Sequence, residues 1–474
     1  MESAARSVKD PGEDHERQPI LHWSLAMIHD DRRAVTFLLL HLAIAACADS
    51  VPTSFASRNF VLDLAAHDAV RAYVTNVTAD VVSVLDVNSN TVVAEIPVGD
   101  GPVGIALSPD GSRAYVADFI SDQVTVIATS VNLVVGTIPV GDQPVYVAVS
   151  PDGTRGYVAN SAGASVSVFN LATNNVIATV PVERDWIPAD LEVSPDGAKV
   201  YATNHLGSSA PDPRDGIVVI DAATLTLEQY IPVDADDPTA IDFTAAGDRA
   251  YIGHLHPSSA PRITILETAT NVATSFLLPG MWHLREIALS PDETRLYVAA
   301  NFDPNLPTDV VLVVDAEDPS AVTATIPVGD GPNGVALTPD GVRLLVANEL
   351  SNDVSVIATS TNSVVATIPT AARPSRIAVG VVRVDPADVA ADLEEAVDHL
   401  VETGAIGSAE ANGLRNKLRE AAHQMELGNA SAARALIAAF ISQIEASVRA
   451  GVISAAAAGP LLAAARTLLA DIAR

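Results

Sequence analysis

Four histidines carry the chemistry most readily read from this chain. His205, His254, His256 and His283 fall in its middle third, in company with Asp185, Trp186 and Trp282. Imidazole and carboxylate together suit Zn, Cu or Fe. The seven residues are therefore the candidate ligand-binding set, and the four histidines are the candidate metal ligands within it. No HExxH or other metal spacing is present, so separate loops would have to converge on the metal. The competing reading is that surface loops simply carry unrelated polar residues. No Gly-rich phosphate loop, GxSxG elbow or Ser-His-Asp arrangement stands out, and no catalytic residue is assigned. The single cysteine, Cys47, excludes an intrachain disulfide and a cysteine-based metal site. A formal charge of −31 argues against nucleic acid, because phosphate binding needs a basic surface that releases counterions. The same charge is compatible with cations, basic partners or plain solubility.

The elements that would position those side chains follow from a repeat. A turn recurs as Ser108-Pro109-Asp110-Gly111, at 150–153, at 194–197 and at 338–341, with degenerate forms at 66–69, 244–247 and 290–293. The spacings of 42, 42, 44, 50, 46 and 48 residues define seven units. Each unit holds four short apolar or alternating runs separated by turn chemistry. Four strands in a unit of about 40–50 residues is the signature of a β-propeller. One such sheet cannot bury both faces alone, whereas face-to-face packing around a ring can. The expected fold is an all-β seven-bladed β-propeller over 58–384, followed by a small all-α bundle over 385–474. Eight copies of the inner-strand pattern run from 59–65 to 374–380, one more than seven blades need. One terminal copy is expected to complete a blade from the opposite chain end.

These repeats resemble the YVTN family of propeller repeats, a WD40-like architecture. Tyr73-Val74-Thr75-Asn76 matches literally, with variants at 115–118, 157–160, 201–204 and 345–348. The resemblance covers about two-thirds of the chain. It implies a fold and a surface location, and no single chemistry, since propellers host many functions.

Within a meander labelled A to D from the channel outward, the B–C loops and the D-to-next-A loops share one face, here the top. The B–C loops after Asn204, His254 and Asn301 are long, and they belong to consecutive units. His205, His254 and His256 are placed in those loops. His283, Trp282, Asp185 and Trp186 are placed in D–A loops of the same face, as are Asp234, Asp236 and Asp237. Insertions on one face of a repeat array are where binding sites usually arise. Asp100, Asp142 and Asp330, in Gly-Asp-x-Pro turns, are read as turn formers, because Asp bonds locally to the backbone and Pro fixes the next φ. Asn76, Asn160 and Asn348 are read the same way.

The two ends differ from the repeat. Arg32-Arg33 precedes an apolar run over 34–46, too short to span a bilayer as a helix. The run ends Ile44-Ala45-Ala46-Cys47, which resembles the bacterial lipobox. The resemblance implies an N-terminal extension and lipoprotein signal peptide over 1–47, with Met27 as the start of the signal, a lipidated Cys47, and a tether over 48–57. At the other end Asp385-Pro386 reads as an N-cap with Pro in the first turn. Glycines at 404, 407, 428 and 451 divide four helices, about 386–403, 408–427, 430–450 and 454–473. Leu436, Ile437, Phe440, Ile441, Ile444 and Val448 form a core stripe at helical spacing. With Phe440-Ile441, Ile444 and the stretch 447–451, this tail resembles the FIMAH-type modules of extracellular bacterial proteins. That resemblance implies attachment or partner contact.

The expected function is an extracytoplasmic scaffold, held to the outer membrane or cell surface by its lipid and binding an envelope component or protein partner. The alternative is a metal-dependent enzyme or redox accessory protein, lactonase-like, using the top face. The one cofactor the residues suggest is a transition metal held by the four histidines.

Overall fold

The computed structural model describes residues 68–182, 188–204, 216–233, 237–254, 261–280, 282–302 and 309–472. Cys47, the preceding signal segment and the tether lie outside the described residues. Within them the repeating turns fold as their residues dictate. Ser108 Oγ donates to Asp110 Oδ1 at 2.6 Å, and the same oxygen accepts from Ser112 N at 3.0 Å. Gly111 takes φ 71°, a region that glycine enters without strain. The fifth unit has no carboxylate at the third turn residue, and Thr244 Oγ1 turns instead to Asp248 at 2.7 Å.

Each unit forms one antiparallel four-stranded sheet, and there are seven such sheets. The inner strands of blades one to seven are Pro374–Val382, Pro102–Leu107, Pro144–Val149, Pro188–Val193, Pro238–Phe243, Trp282–Leu289 and Pro332–Leu337. They contact one another in ring order. The surplus inner-strand copy is resolved in favour of the C-terminal one. Pro374–Val382 pairs antiparallel with Ala69–Asn76, bringing Ala69 opposite Val382 and Tyr73 opposite Ala378. The other copy, 59–65, lies outside the described residues.

Burial falls between blades rather than within them. Seven clusters of Val, Ile, Leu and Ala side chains fill the seven spaces between neighbouring sheets. The motif tyrosines add a polar tip to this layer: Tyr73 donates to Asn132 Oδ1 in the next blade at 3.1 Å, and Tyr251 to the Ala316 carbonyl at 3.2 Å.

Four helices follow the ring: α1 (Pro386–Glu402), α2 (Ser408–Glu426), α3 (Ala430–Arg449) and α4 (Ala455–Asp471). Asp385 caps α1 by accepting from Ala387 N at 2.8 Å, and Ser454 caps α4 by accepting from Ala457 N at 3.1 Å. Gly404, Gly428 and Gly451 terminate the first three helices at φ 70–74°. The bundle is built onto the ring. Helix α1 lies on the outer strand of blade two, Leu133–Pro139, and the space between blades two and three is continuous with the core of the bundle. Arg113 Nη1 lies 2.9 Å from Asp392, its Nη2 lies 2.8 Å from Glu395, and Ser130 Oγ donates to Asp392. The equivalent Arg155 and Arg343 instead donate to carbonyls of the next blade, those of Ala222 and Val87. Blade two has turned the same residue toward the helices.

Candidate functional site: the central channel

His254 is the most fully described of the predicted histidines. It ends the second strand of blade five and is 3% exposed, so it is not the exposed loop residue its spacing suggests. Its Nε2 lies 2.8 Å from Thr264 Oγ1, which lies 2.8 Å from Ser275 Oγ. This is the place held by asparagine or aspartate in other blades. Asn76, Asn160 and Asn348 donate to Ser83, Ser167 and Ser355 at 2.9–3.0 Å, and Asp118 accepts from Thr125 at 2.6 Å. Those asparagines therefore bond across to the third strand of their own sheet. They are not only turn formers. His283 is the second residue of the blade-six inner strand, partly exposed and in register with Asn301. Trp282 pairs in register with Phe302, while its side chain lies outside the described set. His205, His256, Asp185 and Trp186 also lie outside the described residues. Among the described residues, no group of three or more His, Cys, Asp or Glu side chains could hold a metal ion.

The structure gathers a different set. Counting back four residues from the turn in blades two to seven, and aligning blade one through the pairing of Tyr73 with Ala378, gives one position per inner strand: Gly104, Tyr146, Asp190, Ala240, Glu286, Gly334 and Arg376. Counting back two gives Ala106, Ala148, Glu192, Asp242, Ala288, Ala336 and Ala378. Gly and Ala are the background of these two levels, and the exceptions carry charge or a phenol. They meet across the channel. Tyr146 Oη of blade three reaches Glu286 Oε1 of blade six at 3.4 Å. The Arg376 guanidinium of blade one stands 5.8 Å from the centre of the Tyr146 ring and 3.5 Å from Glu286. It also donates to the Asn333 carbonyl at 3.3 Å.

Three of the carboxylates clamp the inner strand of the following blade. Asp190 Oδ2 accepts from Ile241 N at 3.0 Å, Asp242 Oδ2 from Leu289 N at 2.7 Å, and Glu286 Oε2 from Val335 N at 2.7 Å. The glycines make the close approach possible: a methyl on Gly334 would stand 2.4 Å from the Ser375 carbonyl and 3.1 Å from Glu286 Oε2. Burial dominates the electrostatics. It pushes the carboxyls of Asp190 and Glu192 well above the ordinary range, with Arg376 opposing at Asp190 and Asp242 adding at Glu192. Asp242 is pushed up to about 6 by burial, its backbone hydrogen bonds opposing. Such shifts mark groups able to hold a proton near neutral pH. The available signal was that these residues break the Gly and Ala background of the inner strands.

Residues 390–470 match the FIMAH domain family. No curated protein matches the chain. Several solved structures share the ring. Hydrazine synthase of Kuenenia stuttgartiensis is 21% identical with a TM-score of 0.53, over 60% of this chain and 95% of that one. A functionally unknown protein from Desulfotomaculum acetoxidans is 18% identical with a TM-score of 0.54, over 66% and 99%. A candidate 6-phosphogluconolactonase from Bacteroides uniformis is 20% identical with a TM-score of 0.55, over 66% and 100%. At these identities the likeness speaks for the propeller fold alone.

Proposed function

We propose that the protein is a lipid-anchored, extracytoplasmic scaffold that binds an envelope component or protein partner through the joined surface of its FIMAH module and ring. One observation carries this reading. The module is held in a set orientation by the Arg113–Asp392–Ser130 clasp and a shared core, so ring and helices present one rigid surface. A rigid surface loses less conformational freedom on binding than a tethered one. The YVTN-like repeats, the FIMAH match and the lipobox-like approach to Cys47 agree with a place at the cell envelope. The alternative is a metal-dependent enzyme or redox accessory protein working from the top face. Its support is the fold likeness to a candidate 6-phosphogluconolactonase. His254, one of its proposed ligands, is bonded into its own sheet through Thr264.

Fractionation tests the anchor and cosedimentation tests the binding. Wild type should follow the membrane fraction, and Cys47→Ser should be released or remain unprocessed. The soluble Cys47→Ser protein should then bind isolated envelopes saturably. A variant that fractionates and migrates like wild type removes the anchor, and soluble protein that ignores envelopes removes the scaffold reading.

A further inference from the structure

We propose that the channel level bearing Glu192 and Asp242 is a binding site for a small organic ammonium ion, entering from the face of the Ser-Pro-Asp-Gly turns. Its lining is asymmetric. Five of seven equivalent positions are alanine, and the other two are carboxylates in adjacent blades. Alanine at the other five positions leaves only apolar groups there to meet an alkyl stem. The carboxylates supply the charge for its head.

Nothing within the described residues balances that charge. Arg376 belongs to the level above, where Glu286, Tyr146 and Asn333 hold it. Among the described residues Glu192 has neither a hydrogen-bond partner nor a cation, and the charged groups it feels are Asp242, Asp190 and Glu286. A second observation points to a missing donor on the adjoining level, two residues away along the blade-four inner strand. Asp190 is 2% exposed, and while its Oδ2 accepts from Ile241 N, its buried Oδ1 has no partner. An unsatisfied buried acceptor of this kind is unfavourable until a donor reaches it. A bare metal ion does not suit the arrangement, because no three of these carboxylates converge on one point. An ammonium head carries its N–H groups outward and bridges acceptors that are further apart. Both Glu192 and Asp242 are partly exposed although inner strands enclose them, so water-sized groups reach them. Burial keeps these carboxyls protonated higher in pH than usual, and a bound cation would ionise them. Binding should therefore release protons and strengthen as pH rises.

The test is calorimetric titration of the full chain carrying Cys47→Ser, in two buffers of different ionisation enthalpy. The probes are n-butylamine, 1,4-diaminobutane, the amide of N-acetyl-lysine, n-butanol and Mg²⁺. The amines should bind saturably with proton release, at least tenfold more tightly at pH 7.5 than at pH 5.5, while butanol and Mg²⁺ should not. Binding by the lysine derivative as well would show that a protein lysine can supply the head; binding by the free amines alone would restrict the site to small metabolites. Glu192→Gln with Asp242→Asn should weaken the amines tenfold or more. Ala336→Leu, which narrows the same level without touching a charge, should do likewise, and it replaces the double variant if that one fails to fold. Absence of saturable amine binding, equal binding by the variants, or preference for Mg²⁺ overturns the proposal.

Discussion

Asp118 shows how one side chain can report on a whole layer. It occupies the position where blades one, three and seven use asparagine, and it is fully buried. Burial raises its carboxyl to about 6, with the bonds from Thr125 and Gln123 opposing. The folded protein therefore disfavours the ionised form. That penalty is absent below about pH 4, grows as pH rises toward 6 and is constant above. Asp118→Asn, whose amide can donate to Thr125 as its counterparts do to serine, should gain about 1–3 kcal/mol at pH 7.5 and almost nothing at pH 4. Urea unfolding at the two pH values checks this. His254 makes the complementary case. His254→Ala should cost about 1–3 kcal/mol by removing the buried ring and its bond to Thr264, which keeps only Ser275, and His254→Asn should cost less. Were His254 an exposed loop residue, both changes would fall within about 0.5 kcal/mol.

Helix α1 is the element that decides how the two parts of the molecule are joined. Its apolar side, Val389, Leu393 and Val397, belongs to the cluster that fills the space between blades two and three. Asp392, 4% exposed, stands in the same surface between Arg113 and Ser130. Removing a carboxylate from such a pair leaves the guanidinium poorly compensated, while Glu395 still holds its other nitrogen. Asp392→Ala should weaken docking by about 2–4 kcal/mol, and Asp392→Asn by less, since an amide still bonds Ser130. Amide exchange resolves the effect: α1 and the outer strand of blade two should exchange faster, and the outer strand of blade five should not change. The helical period of the tail marks this stripe as core. Nothing in that period says that part of the core lies on another domain, because an apolar face is the same whichever surface covers it.

At the scale of the whole molecule the ring is closed by a strand from the far end of the chain. Seven spaces between blades are filled only if all seven sheets are present, and the open side of Ala69–Asn76 is covered only by Pro374–Val382. A chain ending at residue 373 should lose both that pairing and the helices. It should expose a strand edge and elute as soluble aggregate in size-exclusion chromatography, where the full chain elutes as one species. A monomeric, sharply unfolding product of that truncation would show that the closing strand is dispensable. No helix among the described residues is long and apolar enough to cross a membrane.

Repetition is what the sequence by itself determined. Turn residues recurring every 42–50 positions are local chemistry, read by Ser, Asp and Gly within five residues, and seven copies leave few ways to bury their faces. The helix boundaries were legible for the same reason, since caps and left-handed glycines act within one turn. The tertiary structure alone decided which terminal strand closes the ring, because both copies carry the same pattern. It also decided that Asp190, Glu192, Asp242, Glu286, Tyr146 and Arg376 share one channel. These residues are spread over some 230 positions, and only the superposition of blades brings equivalent residues to one level. Conversely, His254 stands next to a long loop in the chain yet is held inside a sheet, because the strand register that sets Thr264 opposite Ile252 leaves the Thr264 hydroxyl within 2.8 Å of its ring.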